Sequence, residues 1–426
     1  MRISTILAGV SAALIAVSAP TAIAETTYIR AGSLFDSRSG QVSNNAVIVV
    51  EDERIVAVGG SNINIPSDAN VIDLSDSFVM PGVMDMHTHI VGVLEESFFA
   101  GYFQSPHRAT IGGVVNAEKT LMAGFTTIRN VGSGSFASVA IRNSINAGEI
   151  PGPRIAAAGP ALGITGGHCD NNALNESYEE RGKGVADGPW AVREQVRKNV
   201  KYGVDLIKFC ATGGVFSKGT KVGMTQYTLE EMEAIVDEAH THERKVAAHA
   251  HGNEGIKRAI LAGVDSIEHA SFLDEEAVQM GIDRGVFFAM DIYNTEWTLE
   301  RGAENGVPEE NINKEREVSV AQRNSFTLAV EMGAKVVYAT DAAIFPHGLN
   351  GRQFSRAVRF GMTPTQALQS ATSVSADLLG WEDRVGEIRE GYYADIIAVN
   401  GNPLDDISEM EDVDFVMKGG VVYKNK

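Results

Sequence analysis

The amino-acid sequence predicts an α/β protein. We expect residues 81–380 to form a (β/α)8 TIM barrel, and both chain termini, residues 25–80 and 381–426, to build a small β-sandwich domain. The first supporting observation is a unit that recurs through the centre of the chain, in which an amphipathic helix ends at a glycine and a short apolar strand follows. The second is that both ends of the chain lack this unit. They consist of short strand-like runs separated by turns, and neither end is long enough to bury a two-sheet core alone.

The N-terminal stretch MRISTILAGVSAALIAVSAPTAIAET has the pattern of a secretory signal peptide. An early arginine precedes an apolar stretch, and Ala22-Ile23-Ala24 fits the small-residue cleavage pattern. We expect cleavage near Ala24 to remove residues 1–24 and to leave an exported protein, periplasmic or secreted. Because no later run of about 18 apolar residues occurs, we expect no membrane association of the mature form.

Eight segments have the pattern of buried strands. Short runs rich in Val, Ile and Phe, typical of parallel strands buried on both faces, follow five glycines placed where a helix end needs a left-handed residue: Gly124, Gly203, Gly263, Gly285 and Gly333. Segments that begin at residues 79, 153 and 244 bring the number of strands to eight. A doubly wound open sheet is the alternative architecture, but no glycine-rich dinucleotide motif follows the first strand.

The helices between the strands can also be located from the sequence. In TLEEMEAIVDEAH, Thr228 is the expected N-cap, and Glu231, three residues later, completes a capping box. The apolar residues of this segment recur on one stripe, as in a helix that packs against a sheet.

Composition argues against nucleic acid as a partner. The chain has 426 residues, of which 44% are hydrophobic and 21% charged, and it is too long for one small domain. The formal net charge is -19 and no long basic run occurs, so we expect no nucleic acid as a partner. The expected partner is a small-molecule substrate. Cys169 and Cys210 are the only cysteines, so disulfides do not hold this fold together. The sequence leaves their pairing open, and we expect them not to pair.

The candidate functional residues lie at the expected strand ends, because the chemistry of such barrels sits on the loops at the C-terminal face. In DMHTHI the two histidines point to the same side of an extended strand and can share a metal ion, although such a pair alone is often an ordinary polar one. The residues that bind metals, or can be converted to metal ligands, at these strand ends are His87, His89, Lys208, His249, His269 and Asp341.

Lys208 is unusual because it lies within an apolar strand, VDLIKFC. Desolvation there lowers the pKa of its ammonium group and favours the neutral amine. A neutral amine reacts with carbon dioxide to give a carbamate, which can bridge two cations as a carboxylate does. The alternative is a lysine that extends to solvent or pairs with an acid; the nearby histidines favour the carbamate.

These motifs resemble the amidohydrolase superfamily in its binuclear form with a carboxylated lysine. The segments VIDLSDSFVMPGVMDMHTH and GEIREGYYADIIAVNGNP are similar to the entry and exit signatures of that superfamily. More narrowly, GITGGHCD, KFCATGGVFSKGT, TQYTLEEMEAIVDEAH and VAAHAHGNEGIKRAILAGVDSIEHAS resemble bacterial Xaa-Pro dipeptidases and related carboxypeptidases, a branch that includes ochratoxin-hydrolysing amidases. The resemblance covers nearly all of the mature chain.

The resemblance implies a site for two divalent metal ions. His87, His89 and Asp341 would hold the first ion, His249 and His269 the second, and N-carboxylated Lys208 would bridge them. Two such ions about 3.5–4 Å apart lower the pKa of a shared water and polarise a carbonyl, so that a metal-bridging hydroxide attacks the substrate. Zinc suits these ligands best, although ligand type does not exclude manganese or cobalt.

The resemblance also assigns catalytic and substrate-binding residues. Asp341 would take the proton from the bridging water and pass it to the leaving amine. His168 would polarise the scissile carbonyl, and Tyr227 and His251 would bind the free carboxylate of the released amino acid. Each of these last three also has a structural interpretation: a loop histidine, a tyrosine packed at a helix start and a histidine that supports a ligand.

The predicted function is hydrolysis of the amide bond to a C-terminal amino acid in dipeptides or N-acyl amino acids. Release of Phe from ochratoxin A would be such a reaction. A second hypothesis keeps the site and changes the bond to that of a cyclic amide, a lactone or a phosphotriester. A third is a non-catalytic binding or metal-storage protein. Relatives of this branch form large homo-oligomers, so the resemblance implies an octamer.

Four histidines lie outside this set. His240 and His242 finish a helix, where cations suit the helix dipole, and we interpret them as structural. His107 has no assigned role, and His347 follows the eighth strand, where it could line the pocket.

Overall fold

The structure is a computed structural model that describes residues 26–92 and 104–426. The predicted signal peptide, residues 1–24, lies outside the described residues. Among the helices that the structure describes, none is long and apolar enough to cross a membrane.

Both ends of the chain join one seven-stranded sheet, in the order β15-β14-β13-β4-β1-β2-β3. Its strands are β1 (Thr26–Phe35), β2 (Val42–Glu51), β3 (Arg54–Gly59), β4 (Asn70–Pro81), β13 (Ile396–Val399), β14 (Phe415–Lys418) and β15 (Val421–Asn425). N-terminal β4 pairs antiparallel with C-terminal β13, with Val79 opposite Ala398. The predicted association of the two termini is therefore present. The sandwich of two layers stays a prediction, because these strands form one sheet.

The eight predicted central strands are all present and run parallel. They are β5 (Val83–Thr88), β6 (Phe125–Asn130), β7 (Arg154–Ala157), β8 (Leu206–Cys210), β9 (Lys245–Ala250), β10 (Ser266–His269), β11 (Phe287–Met290) and β12 (Lys335–Tyr338). Strands β5 to β7 form one sheet and β8 to β12 another. Two parallel bridges join the sheets at their edges, Leu162 with Phe209 and Thr88 with Ala342.

Helices alternate with these strands along the chain. Their bounds are α1 (Pro106–Met122), α2 (Ala137–Asn146), α3 (Pro189–Lys201), α4 (Leu229–Thr241), α5 (Asn253–Ala262), α6 (Glu275–Arg284), α7 (Tyr293–Arg301), α8 (Glu309–Glu331), α9 (Arg352–Arg359), α10 (Pro364–Ser370) and α11 (Ser373–Leu379). The capping box of Thr228 and Glu231 is formed at the start of α4. All five glycines predicted at helix ends have positive φ, which glycine adopts without steric penalty.

Parallel pairing brings the carboxyl ends of the strands to one side. Cys210 on β8 lies opposite His249 on β9, and His249 lies opposite Glu268 on β10. Below this edge the helices and strands bury one large apolar core, which includes Phe209, Ile267 and Phe288. The strand ends therefore rest on a closely packed support.

Candidate metal centre

One cavity of about 280 Å³ collects the predicted metal-binding side chains. His87, Lys208, His249 and His269 come from the carboxyl ends of β5, β8, β9 and β10, and Asp341 follows β12. Lys208 is only 3% exposed, so its amine lies at the bottom of the cavity and not in solvent. The six residues of the predicted set that line the cavity are His87, His89, Lys208, His249, His269 and Asp341.

The potential ligand atoms form three overlapping groups. His87, His89 and Asp341 make the first: Asp341 Oδ1 lies 3.5 Å from His87 Nε2 and 3.3 Å from His89 Nε2. The second group contains His249 and His269 together with His251, and the third contains His269 and Asp341 together with Asp291. Within each group the ligand atoms lie within 4.8 Å of one another, which is close enough for a shared cation.

Three of these histidines are held in position by a contact of the Nδ1 atom with a carboxylate or a carbonyl oxygen. His87 Nδ1 lies 2.8 Å from Glu268 Oε2, and His269 Nδ1 lies 2.8 Å from Asp291 Oδ1. His89 Nδ1 is 2.9 Å from the carbonyl oxygen of Gly132. Such contacts fix the ring and leave Nε2 for a metal ion.

The donors present fit a divalent cation. Among the described residues, His249 Nε2 is buried and has no hydrogen-bond partner. A buried polar nitrogen without a partner is costly, and a metal ion in the cavity would satisfy it. Imidazole nitrogens with a carboxylate oxygen are also the donor set that zinc and similar ions prefer.

Burial shifts the pKa values of the ionisable side chains that line the cavity. It lowers the pKa of His87 and of His168 to about 3, and it lowers the pKa values of His249 and His251 well below the ordinary value. These imidazoles are therefore neutral and can donate a lone pair at neutral pH. Burial also lowers the pKa of Lys208 to about 8, which leaves a fraction of its amine neutral.

The pKa values of two ionisable groups are shifted toward the charged form. Burial acts against ionisation of Asp341, but His87 and His89 outweigh it and hold the pKa of this carboxyl well below its usual range. Burial likewise acts against protonation of His269, but Asp291 outweighs it and raises the pKa of this imidazole. The cavity thus contains a carboxylate that stays ionised, beside imidazole nitrogens.

Two of the three predicted substrate-binding residues line the cavity. His168 stacks on His249 with ring centroids 4.1 Å apart, and its Nδ1 lies 2.8 Å from Ser217 Oγ. His251 is also at the cavity wall, with Nδ1 2.7 Å from Ser271 Oγ.

Tyr227 does not reach the cavity, and its prediction as a carboxylate anchor needs correction. Its ring is buried in the apolar core beside Phe209, and its hydroxyl donates a hydrogen bond to the carbonyl oxygen of Ala186 at 3.0 Å. The tyrosine packs at the start of α4, which is the structural alternative that the sequence also allowed.

The expectation that the cysteines stay unpaired was wrong, because Cys169 and Cys210 form a disulfide. The segment after β7 runs beside β8, where the amide of Cys210 donates to the carbonyl oxygen of Leu162. The following loop folds back over Gly163 and brings the two Cα atoms to 6.0 Å. Both cysteines line the cavity, directly beside His168.

The remaining histidines lie away from the cavity. His240 and His242, at the end of α4, contact Asp265 and Glu238 respectively, in agreement with a structural role. His347 is buried between Thr120 and the backbone of His89, and His107 is exposed on α1.

Four functional candidates were missed at the sequence level. Glu268 contacts His87 and forms an ion pair with Arg129, which is 3% exposed. Asp291 orients His269, and Glu315 lines the cavity without any such contact to a histidine. The available signal was a charged residue inside a segment predicted to be a buried strand, which applies to both Arg129 and Glu268.

Comparison with known proteins agrees with this geometry. Residues 78–423 match the family model described as Amidohydrolase family. Ochratoxinase of Aspergillus niger is 33% identical, over 96% of this chain and 88% of its own length. The crystal structure of a Xaa-Pro dipeptidase with bound methionine superposes with a TM-score of 0.89 at 38% identity, over 94% of this chain and all of that one. A prolidase complexed with N-methylphosphonate-L-proline gives a TM-score of 0.87 at 30% identity, over 94% and 100%.

Proposed function

Because this chain belongs to the amidohydrolase family and is a hydrolase of amide bonds, we propose that it releases the C-terminal amino acid of dipeptides or N-acyl amino acids. The similar proteins named above include a Xaa-Pro dipeptidase with bound methionine and a prolidase complexed with N-methylphosphonate-L-proline, which supports this substrate class. The observation that carries the proposal is the convergence of four histidines, Lys208 and Asp341 in one buried cavity.

The donor groups support a site for two divalent ions, most simply zinc. His87, His89 and Asp341 would hold one ion, His249 and His269 the other, and Lys208, carboxylated on its amine, would bridge them. Ions bound there would supply a water of lowered pKa and would polarise the scissile carbonyl.

The residues of the chain then handle the substrate and the proton. Asp341 accepts a proton at its carboxylate and delivers it to the leaving nitrogen, held in place by Asn294, whose Nδ2 lies 3.3 Å from Asp341 Oδ2. His168, fixed by Ser217, donates to the carbonyl oxygen of the substrate. His251 contacts the free carboxylate, a role for which Tyr227 is not placed.

The wider architecture is also part of the proposal. The bridges Leu162 to Phe209 and Thr88 to Ala342 support closure of the eight strands into a (β/α)8 barrel over residues 81–380. We propose that the terminal strands belong to a β-sandwich domain. We also propose export after cleavage near Ala24, which is supported by the signal-peptide pattern, and an octameric assembly, which is supported by the family resemblance.

The test is a substrate screen. Metal-reconstituted protein should release free amino acids from dipeptides, from N-acetyl amino acids or from ochratoxin A, measured by mass spectrometry. Dihydropyrimidine-type cyclic amides, lactones and phosphotriesters serve as the contrasting panel. If only compounds of the contrasting panel are hydrolysed, the bond that the enzyme cleaves is not the amide bond to a C-terminal amino acid. If no compound is hydrolysed by protein that binds two equivalents of metal, the proposed hydrolase function is wrong.

A further inference from the structure

The disulfide between Cys169 and Cys210 lies in the wall of the candidate metal centre, and the proposed mechanism does not use it. Cys210 ends β8 two residues after Lys208, and Cys169 follows His168 directly in the chain. The bond therefore joins the loop that carries the proposed donor to the substrate carbonyl with the strand that carries the proposed bridging amine.

The loop that carries His168 has little regular structure to hold it. It runs from residue 158 to residue 188, with one helical turn at Glu176–Tyr178 and two isolated bridges. Residues 174–181 are all exposed. Gly166, whose φ is 70°, comes two residues before His168, and glycine gives a backbone more freedom than other residues do. Such a loop loses much conformational entropy when it is fixed in one position.

Hydrogen bonds also hold His168, but they are the weaker restraint. Its Nδ1 lies 2.8 Å from Ser217 Oγ, and its amide donates to Gln226 Oε1 at 3.1 Å. Each bond contributes less free energy than fixing a few flexible residues costs, because water offers competing partners to an open loop. A covalent bond one residue away restrains the same segment whether or not these hydrogen bonds are formed.

We propose that the disulfide is the positioning device for His168, so that amide hydrolysis requires the oxidised form of the protein. This inference rests on the proposed function. With the bond formed, Cys169 is tied to the end of β8, and the imidazole of His168 stacks on His249. Without the bond, the loop leaves the cavity and the donor is lost. The proposed metal ligands stay in place, because they lie on the central strands or directly after them.

The redox step uses two electrons and two protons: the S–S bond breaks and each sulfur becomes a thiol. A phosphine such as tris(2-carboxyethyl)phosphine supplies the electrons and becomes the phosphine oxide, and one water supplies the oxygen and the two protons. Cys169 is partly exposed, so a reductant can reach its sulfur although Cys210 is buried. Reducing compartments keep cysteines as thiols. With the export proposed above, the enzyme would become active only outside the cytosol.

The experiment compares the oxidised and the phosphine-treated forms of metal-loaded protein on the best substrate of the screen above. After the phosphine is removed, kcat, KM, metal content and circular dichroism are measured, and alkylation followed by mass spectrometry counts the thiols. The control is the double variant Cys169→Ser with Cys210→Ser, which has no disulfide to reduce, because the chain has no other cysteine. His168→Ala tests whether the disulfide acts through this imidazole.

The expected result is a loss of turnover that leaves the metal bound. Reduction should lower kcat by about 100-fold, the lower end of the loss typical when one donor to the developing oxyanion is removed. KM should change little, and reoxidation with glutathione disulfide should restore kcat. The double serine variant should have the low kcat before and after phosphine treatment. In His168→Ala, reduction should cause no further loss, because the donor is already absent.

Three outcomes would overturn the proposal. The first is an equal kcat of the two forms, with two free thiols confirmed after reduction. The second is unfolding of the reduced protein or loss of its metal, since the disulfide would then support more than His168. The third is the same fold-loss of kcat in His168→Ala as in wild type.

Limited digestion with trypsin gives a readout that needs no turnover. Arg181 and Lys183 are exposed in the same loop, and trypsin cleaves after these residue types. Faster cleavage at these sites after reduction is the expected result, and equal cleavage rates would refute the release of the loop. If wild type hydrolyses no compound of the screen, the proposed function fails, and the digestion still decides whether the disulfide holds the loop.

Discussion

Replacement of Glu268 by Gln should destabilise the protein and weaken its metal site at the same time. Glu268 is fully buried and receives hydrogen bonds from Arg129 Nη2 at 2.8 Å to both oxygens and from Ser266 Oγ at 2.5 Å. Its Oε2 also lies 2.8 Å from His87 Nδ1. Glutamine has the same shape but removes the charge, so the perturbation is electrostatic and not steric.

The magnitude follows from the partner that remains. Arg129 is 3% exposed and would keep a buried positive charge without its counterion, which typically costs about 3–5 kcal/mol in the free energy of unfolding. Loss of the contact that orients His87 should lower metal affinity by about 10- to 100-fold. The double variant Glu268→Gln with Arg129→Met removes both charges, so we expect it to recover part of the lost stability.

The assay is urea unfolding of metal-free protein, followed by tryptophan fluorescence, together with a competition titration with zinc. Glu276→Gln is the matched control, because Glu276 also pairs with a basic residue, Lys257, but its side chain is 72% exposed. A surface pair of this kind contributes about 0–1 kcal/mol. If Glu268→Gln loses no more stability than Glu276→Gln, the buried pair does not support the site and the reasoning is refuted.

Three further predictions concern the amine, the disulfide and pH. Lys208→Ala should reduce bound metal and lower kcat/KM by at least about 100-fold, with partial recovery on addition of a short carboxylic acid, while Lys201→Ala has no effect; unchanged turnover would exclude the carbamate. Cys169→Ser, Cys210→Ser and the double variant should each lose the same stability, about 4 kcal/mol by chain entropy for a separation of 41 residues, in urea unfolding. Unequal losses would show that the thiols act separately. Burial lowers the pKa of Lys418 from 10.5 to about 8, so the unfolded chain binds more protons between these pH values, and the free energy of unfolding of wild type should rise with pH there relative to Lys418→Met; parallel pH curves would contradict this.

The sequence predicted the fold well where local chemistry determines the backbone. Glycines at helix ends need positive φ, and Gly263 and Gly285 are themselves the left-handed caps of α5 and α6. The capping box at Thr228 is likewise a local device. The pairing of β4 with β13 was predicted only as an association of the termini, because register depends on contacts between distant segments.

The cavity was predictable as a meeting place of strand ends, since parallel strands bring their carboxyl ends to one edge. The roles of the metal ligands stay predictions. What the sequence did not specify was the direction of individual side chains in loops and their distant partners. Tyr227 turns into the core, Cys169 turns back to Cys210, and Glu268 meets Arg129 from another strand. Each of these contacts depends on three-dimensional packing, which the spacing of residues in the sequence does not determine.

The shared terminal sheet has a consequence for biogenesis. Because β4 lies between β1 and β13, one edge of β4 has no partner until the last part of the chain has been synthesised. Such an open edge can pair with other chains, so a ribosome-bound or C-terminally truncated product is prone to aggregation. The sheet is complete only when the C-terminal strands have paired with β4. Maturation of the whole molecule therefore depends on the strands that are synthesised last.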